Sequence, residues 1–141
     1  MVTITKAHVQ RWLDAGNTLD SRKLAEIMSD DVVMHQPQNP RPLTKPDMVE
    51  FFGMLWNAFP DMHFHGEGST IEGNEAASWE RVTGTLTGSY VDPTSGRTIE
   101  PTGKKFDLRA AMHLVFDDEG QISEVSIFWD RLAFMQQLGL M

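Results

Sequence analysis

From Lys105 to Phe116 the chain alternates without a break. Phe106, Leu108, Ala110, Met112, Leu114 and Phe116 fall on one side, and Asp107, Arg109 and His113 on the other. A period of two is the pattern of a β-strand with one buried face. Asp117-Asp118-Glu119-Gly120 reads as a hairpin turn, since Gly120 can take the left-handed conformation that such turns need. Gln121 to Trp129 then returns as a second strand, and Arg131 to Leu138 carries Leu132, Met135 and Leu138 at helical spacing, with Gly139 as a stop. Two registers are open to this hairpin. With Met112 opposite Val125, the buried face gains Val125, Ile127 and Trp129. The outer face then gains Glu124, Ser126 and Asp130, with Ile122 and Phe128 as apolar exceptions. With a glycine bulge in the turn, the second strand slips by one and His113 joins Val125 and Ile127. A slip of one exchanges the faces of every side chain. The first register gives the better binary match and is the one expected.

Composition narrows the class. The 141 residues suit a single domain spanning 1–141, 40% hydrophobic and 23% charged, as in ordinary globular proteins. There is no cysteine, so thiolate chemistry, disulfides and Cys-based metal sites are excluded. A net charge of −8 with no basic run argues against nucleic acid and anionic membrane as partners. The N-terminus lacks the apolar run of a signal peptide, and no segment reaches transmembrane length, so a cytoplasmic location is expected.

The remainder supplies helices and more strands. Thr3 or Thr5 can cap a helix with Val9, Trp12 and Leu13 on one stripe, ended by Gly16. Asp20 or Ser21 can cap a second, with Leu24, Ile27 and Met28. Val32 to Gln36 reads as a short strand halted by Pro37, and Pro40 and Pro42 keep the following loop extended. Thr44 and Asp47 resemble a capping box ahead of Met48, Phe51, Phe52, Leu55, Trp56 and Phe59, a wide apolar stripe that must lie across a sheet or cavity. Asp61 to Glu72 and Ala76 to Thr87 read as strands around Gly73-Asn74-Glu75. In the second, Trp79, Arg81, Thr83 and Thr85 share one side, and Ser78, Glu80, Val82 and Leu86 the other. Residues 88–103 form a long, turn-rich loop of the kind that serves as a lid or rim. The order implies an α+β fold, a curved antiparallel sheet wrapped over helices.

These features together resemble the SnoaL-like polyketide cyclase and ester cyclase group of the nuclear-transport-factor-two-like superfamily. The resemblance rests on Asp30-Asp31-Val32-Val33-Met34-His35-Gln36-Pro37, Phe59-Pro60-Asp61, Val82 to Gly88, Pro101-Thr102-Gly103-Lys104 and the ending Trp129 to Leu140. It implies a cone-shaped α+β barrel, a cystatin-like roll, with a deep pocket for a small apolar molecule, assembled as a homodimer or larger oligomer. It implies cyclase, isomerase or other lyase-type acid/base chemistry on a polyketide- or terpenoid-like substrate, epoxide hydrolysis being a more distant relative's reaction. No cofactor and no metal are expected. The family's pocket aspartate, counted from Gly120, falls on Ile127, and its partner histidine on His113 or Met112. Isoleucine transfers no proton. A non-catalytic binding module is therefore the alternative.

Three polar residues are the candidate participants. Arg81, beside Trp79, would hold a carboxylate or an enolate if it faced the cavity, and otherwise pairs with acids outside. His35 stands at a family position near the cavity mouth, and His113 enters only in the bulged register. Trp56, Phe59, Trp79, Met112, Ile127 and Trp129 are the candidate ligand-binding side chains. His63 and His65 share a strand side with Glu67, too far along for one metal site, and read as solvated.

Overall fold

The computed structural model describes residues 2–141. Helices α1 (Lys6–Asn17) and α2 (Ser21–Glu26) lead into strand β1 (Met28–His35) and helix α3 (Lys45–Ala58). Strands β2 (His63–Glu72) and β3 (Glu75–Thr85) follow, then the short β4 (Tyr90–Val91) and β5 (Thr98–Ile99). The long β6 (Lys105–Phe116) and β7 (Ile122–Trp129) precede α4 (Arg131–Gln137). The main sheet has five strands in the order β1-β7-β6-β3-β2. All neighbours are antiparallel except β1, which runs parallel to β7. The fold is α+β: α1 lies over β2, α3 over β1, and α4 folds back on β6, closing the inner face of a curved sheet.

Local chemistry sets the helix starts. The Thr5 hydroxyl accepts from the Ala7 N–H at 3.3 Å, and Asp20 Oδ1 from the Arg22 N–H at 3.0 Å. Asp47 accepts from both the N–H and the hydroxyl of Thr44, and Asp130 from the Ala133 N–H at 2.9 Å. Gly16 does not end α1, which continues to Asn17; its missing side chain instead admits the Phe64 ring, 3.4 Å from where a Cβ would stand. Helix α2 stops before Met28 because Met28 is taken into β1, paired with Ile122. The loop of residues 88–103 holds the β4–β5 hairpin, whose Asp92 carboxylate receives Arg131 Nη2 at 2.9 Å.

In the central hairpin Met112 pairs with Ile127 and Leu114 with Val125. That is two residues from the expected Met112–Val125 pairing, so the faces are unchanged: Met112 and Val125 are buried, and His113 stands outside, opposite Ser126. A bulge between Val115 and Phe116 turns Ile122 inward, where it is fully buried rather than an outer exception. Phe128 keeps the outer side, 60% exposed.

Candidate functional site

A half-enclosed cavity of about 90 Å³ lies between the inner face of the sheet and the helices. Helix α1 gives it Trp12, Leu13 and Gly16, and α3 gives Phe51, Phe52 and Trp56. The sheet gives Val82, Leu108, Ala110, Met112, Ile127 and Trp129. The wall is almost wholly apolar because every strand contributes its core-facing parity. Trp12 Nε1 is satisfied by Met112 Sδ at 2.8 Å, which ties α1 across the sheet.

The polar exceptions are few. Gln36 and Gln38, at the end of β1 and in the proline-rich segment after it, line the cavity and are buried. Gln36 Oε1 accepts from the Gln38 N–H at 2.9 Å, which fixes the amide so that its Nε2 is the free end. That Nε2, the Nε2 of Gln38 and the Nε1 of Trp56 are all buried donors without a partner. Such groups are costly in an apolar interior, at ~1–3 kcal/mol each. The loop of residues 88–103 holds this end in place through Thr94, whose hydroxyl donates to the Gln38 carbonyl at 2.6 Å.

Four of the expected ligand contacts, Trp56, Met112, Ile127 and Trp129, line the cavity. The others lie elsewhere. Phe59 is packed among Phe106, Phe134 and Tyr90, with ring centroids 5.2, 5.7 and 6.0 Å away, and fills the core. Trp79 is on the outer face, 38% exposed, where its ring covers Gly68. The three expected catalytic residues are also outside, each against an acid. Arg81 Nε donates to Asp107 Oδ1 at 2.9 Å, His113 Nε2 lies 2.9 Å from Glu75, and His35 Nε2 lies 3.6 Å from Glu124. Strand parity is the reason: Arg81 and His113 alternate with inward residues on β3 and β6. The His63 and His65 rings meet edge to face with centroids 4.4 Å apart, and Glu67 is engaged by Arg109 instead. Among the described residues no group of three or more His, Asp or Glu side chains is placed to hold a metal.

The residue that the sequence reading passed over is Glu80, next to Arg81. It is fully buried, and neither carboxylate oxygen has a hydrogen-bond partner. Its cross-strand partners are Ala110 on β6 and Gly66 on β2, and Val82 follows it on the same face; Ala110 and Val82 line the cavity. Leu13 presses down over Gly66, where a Cβ would meet it at 2.7 Å. Loss of water pushes the Glu80 carboxyl up to about 7; the charge of Glu67 adds to this, and the Ser78 hydroxyl opposes it. The signal was present in the alternation Ser78, Glu80, Val82. It became decisive only with the pairing Val82–Leu108, which fixes that side as the inner one.

The SnoaL-like polyketide cyclase family model matches residues 6–138. No curated protein matches the chain. Among solved structures, a candidate SnoaL-like polyketide cyclase from Jannaschia sp. CCS1 superposes with a TM-score of 0.81 at 22% identity, covering 96% of this chain and 91% of that one. AclR from Streptomyces galilaeus, a candidate hydroxylase, gives 0.80 at 24% identity, with 96% of each chain covered. IdmH from Streptomyces antibioticus, a candidate polyketide cyclase, gives 0.77 at 22%, covering 95% and 97%. At these identities the structural likeness speaks for the fold, and the family assignment rests on the sequence match. The chain is a member of the SnoaL-like polyketide cyclase family.

Proposed function

We propose that this protein takes an apolar small molecule bearing a carbonyl group into the cavity and acts on it by proton transfer, in the manner of a cyclase or isomerase. The observation that carries this reading is the trio of unpartnered N–H donors, Gln36 Nε2, Gln38 Nε2 and Trp56 Nε1, in an otherwise apolar wall. An apolar ligand alone would leave them unsatisfied, whereas a carbonyl oxygen can accept from one or more of them. Donors held in place before the reaction would also stabilise an enolate oxygen as its charge develops. Ile127, at the position counted as the family aspartate, offers no proton, so the usual acid/base is not carried over. A polyketide- or terpenoid-like ketone is the substrate class in keeping with this wall.

A comparison of 2-indanone with indane tests the reading, since the two differ by one carbonyl. The ketone should bind the wild type about fivefold to tenfold more tightly, the value of roughly one hydrogen bond. Gln38→Leu should erase most of that preference while leaving indane binding unchanged. Equal affinities for both compounds in the wild type would remove the donor role.

A purely sequestering role is the second reading, favoured by the outward placement of His35, Arg81 and His113. It predicts ketone binding with no turnover.

A further inference from the structure

We infer that Glu80 is the group that takes and returns the proton, abstracting hydrogen from the carbon next to the ligand's carbonyl. The inference rests on the cavity reading above and adds the catalytic residue that reading lacks. Three observations converge on it. Glu80 is a fully buried ionisable side chain with no ion-pair partner, and the polar group beside it is the equally buried Ser78 hydroxyl. Glu80 shares the inner face of the sheet with two residues of the cavity wall, Ala110 across the strand and Val82 beyond it, and stands directly behind that wall. Cross-strand Cβ atoms lie ~5 Å apart, a distance within the span of a glutamate side chain. The third observation concerns its surroundings. Helix α1 sets apolar Leu13 over Gly66, the β2 partner of Glu80, and ties Trp12 to Met112, while β6 faces Glu80 with Ala110. The charged neighbour acting on it is Glu67 on β2, itself engaged by Arg109. The carboxyl titrating at about 7 suits a group that must both accept and release a proton near neutrality.

The step balances without a co-reactant. The Glu80 carboxylate removes a proton from the α-carbon, and the C–H electron pair moves into the carbonyl to give an enolate whose oxygen faces the Gln36, Gln38 and Trp56 donors. The carboxylic acid so formed returns the proton to carbon, either at the same site, at a conjugated position, or after exchange with solvent. In isomerisation the proton moves along the molecule; in ring closure the enolate carbon attacks a second carbonyl, whose alkoxide takes the proton.

Deuterium exchange of the α-hydrogens of 2-indanone in D2O, followed by proton NMR, tests this on the intact protein. Wild type should accelerate exchange, with a rate that rises with pH and levels off above about 7. Glu80→Gln should lower that acceleration at least ~100-fold while its Kd for 2-indanone stays within about threefold. Glu80→Asp should keep a reduced rate with the same pH limb, and Arg81→Ala should match the wild type. Full exchange in Glu80→Gln, or a wild-type rate flat across the pH range, would overturn the role of Glu80. So would a wild type that binds 2-indanone without accelerating exchange, which leaves the cavity reading standing. A wild type that does not bind 2-indanone overturns both. Should Glu80→Gln fail to fold, Glu80→Asp and the wild-type pH profile still decide.

Discussion

An unpaired carboxyl in the interior has a thermodynamic signature as well as a chemical one. The Glu80 pKa is raised in the folded state to about 7 from an ordinary 4.5. The unfolded chain therefore releases its proton first as pH rises. Below 4.5 both states are protonated and Glu80 contributes nothing. Between 4.5 and 7 stability falls, and above 7 the loss is complete, at up to about 3 kcal/mol. Glu80→Gln removes this slope. Urea midpoints should then be similar for the two proteins near pH 4.5, with the variant the more stable at pH 8. An equal difference at both values would mean that Glu80 is not titrating in the fold. Residue identity alone did not reveal this site, because a glutamate beside an arginine in a strand reads equally well as a surface pair. Arg81 drew attention as the cation, yet it is the one that finds its partner, Asp107, outside.

Elements differ in how far their own residues determine them. The caps at Thr5, Asp20 and Thr44 are local, and each was among the short polar residues visible ahead of an apolar stripe. The two faces of β6 were equally visible, since alternation is a property of the strand itself. The start of β1 and the inward turn of Ile122 were not. Both depend on pairing between distant strands, Met28 with Ile122 and Phe116 with Ile122 across a bulge. The loop of residues 88–103 was legible as a long, turn-rich segment but not as a hairpin, because its anchor is the distant Arg131. Arg131→Met should cost about 3 kcal/mol by leaving the buried Asp92 carboxylate without its cation, and should raise amide exchange within this loop. Gly88→Ala should lower the melting temperature for a different reason. Its Cβ would lie 2.6 Å from the Asn57 carbonyl oxygen, which is backbone and cannot turn aside, at a cost of ~1–3 kcal/mol. Thermal melts of the two variants check both, and an unchanged midpoint for Gly88→Ala would mean that the end of α3 moves freely.

Across the whole molecule, charge and grease are sorted by the sheet. The outer face carries the pairs Arg81–Asp107, Arg109–Glu67, His113–Glu75 and His35–Glu124, each solvated and of small energetic weight. The inner face carries Glu80 among apolar side chains, and the amide and indole donors line the cavity beyond it. The sequence showed that such a sorting must exist and what family it belongs to. It left open which acidic or basic residue stayed inside, because that depends on how β3 docks on β6. Methyl NMR of the intact protein during a 2-indanone titration tests the inner location most directly. Shifts at Met112 and Ile127, with Val33 and Val91 on the exposed surface unmoved, are the predicted result. Shifts confined to the exposed methyls, or none at saturating ketone, would contradict it.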